Sequence, residues 1–133
     1  MALVVLDASV IIGFLDPEDA LHEACVAALS ERRHDNLLIP ASVYAEILVA
    51  PYRTSTEAVA EVDAFLSDFA VKVEAITAAI ARAAAQLRSA RKSLRIPDAL
   101  VLATADEFDA DVVLSGDESW TRTSQRVTVV CSR

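Results

Sequence analysis

Four carboxylates stand where a folded chain could do chemistry with them: Asp7 ending "LVVLD", Glu46 inside "SVYAEILVA", Asp98 in "IPDALVLATA" and Asp117 in "LSGDESW". Glu46 raises the sharpest question. On a helix its neighbours three and four residues away are Ser42, Val43, Val49 and Ala50, and the nearest flanking charges are Asp35 and Arg53. Burying an unpaired carboxylate costs several kcal/mol even after relaxation. Two carboxylates about 4 Å apart repel by roughly 4 kcal/mol at an effective dielectric of 20. Converging acids must therefore be protonated, paired with arginine, or neutralised by a divalent cation. Oxygen ligands without His or Cys suit Mg²⁺, or alternatively Mn²⁺. Such an ion lowers the pKa of its water and steadies a phosphorane-like transition state.

Each acid also has a plainer explanation. Asp98 compensates a helix dipole, Asp117 fills a turn after Gly116, Asp7 accepts backbone hydrogen bonds, and Glu46 pairs with an arginine such as Arg53. Taken together, those explanations leave unsaid why four acids fall at the ends or faces of successive elements.

The elements that must position them alternate. Residues 3–7, 37–40, 71–75, 112–115 and 127–131 read as short strands rich in Val, Ile and Leu. Between them, Ser9 is placed to cap a short apolar helix, and "DPED" (16–19) turns into an amphipathic helix reaching about Arg33. The helix of Glu46 is expected to end near Pro51, with Glu46 on its buried face. Residues 55–69 form another helix, with Val59, Val62, Phe65 and Leu66 on one side. Ile76, Ile80, Ala83, Leu87, Ala90 and Leu94 predict one long helix, and Pro97 opens the next. Strands apolar on both faces and alternating with helices predict an α/β fold: a parallel sheet of about five strands covered on both sides. Ligands of such sheets bind beyond the carboxyl ends of the strands. Asp7 and Asp117 fall there.

Composition narrows the partners. The 133 residues make one domain, 1–133, by length. A net charge of −8 argues against a general nucleic-acid-binding surface, so any polyanion must be met by metal ions or a local basic strip. Arg88, Arg91, Lys92 and Arg95 supply one at i, i+3, i+4, i+7 spacing, or they are a solvated helix end. Cys25 and Cys131 have no zinc-like spacing and are expected as reduced core thiols. No apolar run approaches a membrane span and no basic leader opens the chain, so the expected setting is the cytoplasm. The acids of "DEFDAD" (106–111), and His22 and His34, are expected at the surface.

"VVLDASVII", the lone "AE" of the third helix, "PDALVLATA" and "LSGDESW" together resemble the PIN domain, in its VapC toxin-ribonuclease branch, over nearly the whole chain. The resemblance implies a PIN-like fold and a magnesium-dependent endoribonuclease acting on RNA. It also implies a homodimer silenced by a cognate VapB-type antitoxin. Asp7, Glu46, Asp98 and Asp117 fall on the family's acidic positions, and Ser115 where a Thr or Ser commonly lies. Trp120 replaces the usual Phe, a change expected to affect packing rather than chemistry. Two other functions compete: a PIN-like module that has lost catalysis and only binds a partner, and a phosphoacceptor receiver domain. The receiver would need adjacent acids after the first strand, an acceptor Asp after the third and a Lys after the fifth, none of which is present. "DAS" also lacks the second acid of a DxD phosphatase, and no P-loop holds a nucleotide.

Overall fold

The computed structural model describes residues 1–131. β1 (Leu3–Leu6) leads into α1 (Ala8–Leu15) and α2 (His22–Glu31). β2 (Asn36–Pro40) is followed by α3 (Ala41–Thr54) and α4 (Thr56–Asp68), and β3 (Lys72–Glu74) by α5 (Ala78–Ala90) and α6 (Ile96–Glu107). β4 (Val112–Ser115), a 3₁₀ helix (Glu118–Arg122) and β5 (Val127–Val129) complete the order. All four strand pairings are parallel, in the order β3-β2-β1-β4-β5. Right-handed crossovers put the helices that lead from β1 through β2 to β3 on one face, and α5 and α6, which return to β4, on the other.

The central strands explain their composition. Val4, Val5 and Leu6 of β1, Ile39 of β2 and Val113 of β4 are fully inaccessible, which only a sheet covered on both faces allows. The edge strands β3 and β5 are short and partly exposed. Because the chain leaves β1 toward β2 on one side and β4 flanks it on the other, the strand order reverses beside β1. The carboxyl ends of β1 and β4 therefore border the crevice where such folds take ligands.

Several local expectations need correction. α3 runs through Pro51 to Thr54; Pro51 falls near the helix end, where its missing N–H costs one hydrogen bond rather than the helix. The stripe from Ile76 to Leu94 is not one helix. Thr77 caps α5, its Oγ1 accepting from Ile80 N at 3.2 Å, and the helix stops at Ala90. Leu94 is buried from the following turn instead. Cys25 is buried, which pushes its thiol up to about 11, but Cys131 is exposed. The acids of "DEFDAD" lie at the surface as expected, and three of them are bonded there: Asp106 and Asp109 pair with Arg126, and Asp111 accepts from Leu3 N at 2.8 Å. His22 is half-buried, its Nδ1 2.9 Å from the Gly13 carbonyl oxygen, while His34 is exposed as expected.

Candidate active site

Asp7 follows β1 and occupies the N-cap of α1, with extended backbone (φ −77°, ψ 153°). An aspartate there ordinarily caps the helix. This one makes no side-chain cap bond. Ser9 Oγ donates to its Oδ2 at 2.7 Å, and Ser115 Oγ donates to the same oxygen at 2.9 Å. Each hydroxyl also accepts a backbone N–H from the turn after β4: Ser9 from Gly116 at 3.0 Å, Ser115 from Asp117 at 3.0 Å. Two serines thus clamp one buried carboxylate between the ends of β1 and β4, with neither hydroxyl on Oδ1. Ser9 is therefore not the helix cap that its position suggested. Its signal was the "DAS" spacing at a strand-to-helix turn. A Cβ at Gly116 would lie 2.8 Å from Leu21 Cδ1, the free end of a side chain that can move aside, and 3.4 Å from Ser9 Oγ, so a small residue lets the turn approach Ser9 closely.

The other acids surround Asp7. Burial pushes the Asp7 carboxyl above its ordinary value; the two serines oppose the shift and the charge of Asp98 adds to it. Asp98, in the first turn of α6, is raised by burial, lowered by Arg95, and raised again by Asp117. Arg95 Nε lies 3.5 Å from Asp98 Oδ2. Glu46 is raised first by burial of its carboxyl, then by Asp7 and Asp98, with Arg95 opposing. Asp117 is exposed; its Oδ1 accepts from Ser119 N at 2.9 Å and from Ser119 Oγ at 2.6 Å, capping the 3₁₀ helix. Its turn role and its place beside Asp98 coexist.

Glu46 differs from expectation in one respect. Val43 and Ile47 fill the buried face of α3, and Glu46 as a residue is exposed. Burial of the carboxyl still raises Glu46, but the residue that is buried as a whole is Asp7, 8% exposed. Glu46 instead reaches the acids from the solvent side, and no ion pair with Arg53 forms among the described residues.

The basic strip also divides. α5 ends before Arg91, so the four cations do not share a helix face. Arg88 stays on α5, Lys92 is exposed in the turn, Arg95 joins the acids, and Arg91 Nη2 donates to the Arg122 carbonyl at 2.6 Å.

Among the described residues, no three His, Cys, Asp or Glu side chains stand close enough to cage a metal ion by themselves. The arrangement suits Mg²⁺ all the same, since that ion keeps most of its waters and takes one or two carboxylates. Three acids whose protons are held too tightly are what a cation there would relieve. A stability test follows. Folded-state values raised above the unfolded ones give stabilisation that is complete below the unfolded value near pH 4 and lost as pH rises through the raised values. In EDTA, the melting temperature should therefore fall from about pH 4 toward neutrality more steeply than in an Asp7→Asn/Glu46→Gln/Asp98→Asn variant. Asp35, lowered by the Ala2 N–H, works in the opposite direction and is common to both proteins. Superimposable melting curves would show that the three acids do not strain one another.

The fold and the site together define an α/β domain with a carboxylate cleft at the switch point of a parallel sheet. Residues 4–125 match the PIN domain family, and the chain belongs to that family. No curated protein matches the sequence. Among solved structures, a toxin–antitoxin complex from Klebsiella pneumoniae is similar over 98% of this chain and 99% of its own, at 18% identity and a TM-score of 0.81. FitAcB from Neisseria gonorrhoeae is similar over 95% and 96%, at 20% identity and 0.75. The sarcin-ricin-loop-cleaving toxin VapC20 from Mycobacterium tuberculosis covers 92% and 97%, at 18% identity and 0.74. At these identities the likeness establishes the fold. Among the described residues, no helix is long and apolar enough to cross a membrane.

Proposed function

We propose that this PIN domain is a metal-dependent endoribonuclease, the VapC-type toxin of a toxin–antitoxin pair. The observation that carries the reading is the clamped, buried Asp7 with Asp98 and Glu46 repelling it and Asp117 repelling Asp98. A fold that had lost catalysis would have no reason to keep mutually repelling acids at one edge of the sheet. The similarity to toxin–antitoxin structures, one of them an RNA-cleaving toxin, supports the substrate class.

Asp7 and Asp98 are the residues to hold Mg²⁺ or Mn²⁺, with Glu46 and Asp117 acting directly or through water. The bound ion would supply Lewis-acid activation of water and charge relief at phosphorus. Ser9 and Ser115 keep the Asp7 carboxylate oriented and favour its ionised form. Arg95 moderates the charge of Asp98 and Glu46 until the ion is present. Mapping cuts on total cellular RNA, with and without EDTA, tests this reading directly. Discrete cuts that vanish in EDTA are expected; no cleavage by the wild type with either metal would overturn it. A titration with Mg²⁺ and Mn²⁺, comparing wild type with Asp98→Asn, separates the enzyme from a silent partner-binding module.

The partners follow from surface and charge. Val49 and Tyr52 are exposed on α3, a surface suited to a two-fold contact between copies. A basic, initially disordered VapB-type tail could place an arginine among the acids, pairing bidentately where the metal charge would otherwise sit. A dimer in solution and competition of the antitoxin with Mg²⁺ are expected. Sedimentation as a monomer at micromolar concentration, or an inhibitor complex that leaves the acids untouched, would count against this.

A further inference from the structure

Beside the acids lies a cavity of about 110 Å³ between the α5–α6 turn and the 3₁₀ helix, lined by residues of both charge signs. Asp98 and Asp117 line it together with Arg91, Arg122, Ser93 and Thr123. Neither arginine forms a salt bridge among the described residues, although acids line the same space. Arg91 instead donates to the Arg122 carbonyl, which draws the two residues together across the gap between the elements. Four other cations are in ion pairs: Arg32 with Asp35, Lys72 with Glu74, Arg95 with Asp98, and Arg126 with Asp106 and Asp109; of the unpaired ones among the described residues, Arg91 and Arg122 are those that line this cavity.

We infer that Arg91 and Arg122 form a phosphate subsite for the RNA, taking the phosphate that neighbours the scissile one. The inference rests on the ribonuclease reading. Two arginines without an acidic partner among the described residues, beside a cluster of acids that would take a cation, have the charge pattern a phosphodiester chain needs: one phosphate at the acids with their ion, the next at the arginines. Arginine–phosphate contacts are charge-assisted and directional. The cavity does not take a base by stacking, because Trp120, the aromatic in its lining, is 3% exposed. With a net charge of −8, the chain needs such local cations to hold a polyanion at all. The subsite also replaces the continuous strip expected from sequence: Arg91 belongs to it, Arg122 comes from a distant element, and Arg88 and Lys92 do not line it.

The test uses an RNA oligonucleotide spanning a mapped cut, with a neutral methylphosphonate replacing the neighbouring phosphate on one side or the other. On one side only, the replacement should raise the wild-type KM about tenfold, equivalent to about 1.4 kcal/mol, and leave kcat unchanged. In Arg91→Gln/Arg122→Gln, KM should be raised to the same extent with the natural RNA, and the methylphosphonate should add nothing. Binding of the same RNA in EDTA should lose about 0.7 of salt slope for each phosphate contact removed, while Arg82→Gln on α5 keeps the wild-type KM. Should the double variant unfold, Arg122→Gln alone suffices, because it leaves the carbonyl that anchors Arg91. A methylphosphonate penalty that survives the substitutions, or a variant KM unchanged within about twofold, overturns the subsite alone. A wild-type protein that makes no cut overturns the ribonuclease reading, and the subsite with it.

Discussion

Asp7→Asn is expected to abolish RNA cleavage, lowering kcat by at least about 10³-fold, roughly 4 kcal/mol of transition-state stabilisation, while leaving the fold intact. The substitution is nearly isosteric. The asparagine carbonyl can still accept the Ser9 and Ser115 hydroxyls that now meet Oδ2, so the clamp between β1 and β4 survives. What disappears is the charge, and with it the hold on the divalent ion that the proposed function requires. Asp98→Asn should do the same from the other side of the cleft. The metal-free proteins should also melt higher than wild type at neutral pH, because burial and mutual repulsion raise both carboxyls and the folded protein is penalised for ionising them. A stability gain joined to an activity loss distinguishes a functional acid from a structural one, whose removal costs both. Cleavage assays in Mg²⁺ with thermal melts in EDTA give both readouts. Full RNase activity in either variant would sink the site assignment.

The fold was legible because its signals are long and redundant. Val-, Ile- and Leu-rich runs alternating with helical periodicity leave few alternatives to a buried parallel sheet, and the strands and helices fall close to their expected places. The acids were legible for a related reason: their positions at the ends of elements can be read along the chain. What escaped depended on contacts between distant segments. Ser9 reads locally as a cap, whereas its hydroxyl bonds Asp7 and accepts from Gly116, 107 residues away, and the other half of the clamp, Ser115, reaches Asp7 across 108 residues. Glu46 reads as buried because its sequence neighbours are apolar, yet α3 packs on Val43 and Ile47 and leaves it facing out. Arg88 to Arg95 keep helical spacing across a point where the helix stops. Periodicity records a face but not where it ends. Arg122 carried no signal beyond its charge, and its relation to Arg91 exists only after β4 has placed the 3₁₀ helix beside the α5–α6 turn.

The clamp makes the second large prediction. Ser115→Ala should lower RNase activity about 10- to 100-fold, the usual cost of losing a group that orients a metal-binding side chain. Ser115 is fully buried, and its hydroxyl both donates to Asp7 and accepts from Asp117 N, so alanine also leaves an N–H without its partner. That should cost about 1–3 kcal/mol of stability. The two consequences separate in the pH profile. Ser9 and Ser115 each lower the Asp7 carboxyl against the larger effect of burial, so removing one lets it rise further. The acid limb of the activity profile should then move to higher pH, and more Mg²⁺ should be needed at a given pH, neither of which follows from a loosened fold. Ser9→Ala should shift the profile in the same direction. Because both hydroxyls act on one oxygen, the double variant should depart from the sum of the singles. Ser115→Thr keeps the hydroxyl and should restore the wild-type limb if the added methyl is accommodated. A Ser115→Ala protein with the wild-type pH profile and Mg²⁺ requirement would mean that Asp7 owes its ionisation to something other than the clamp, and the orienting role of the two serines would have to be abandoned.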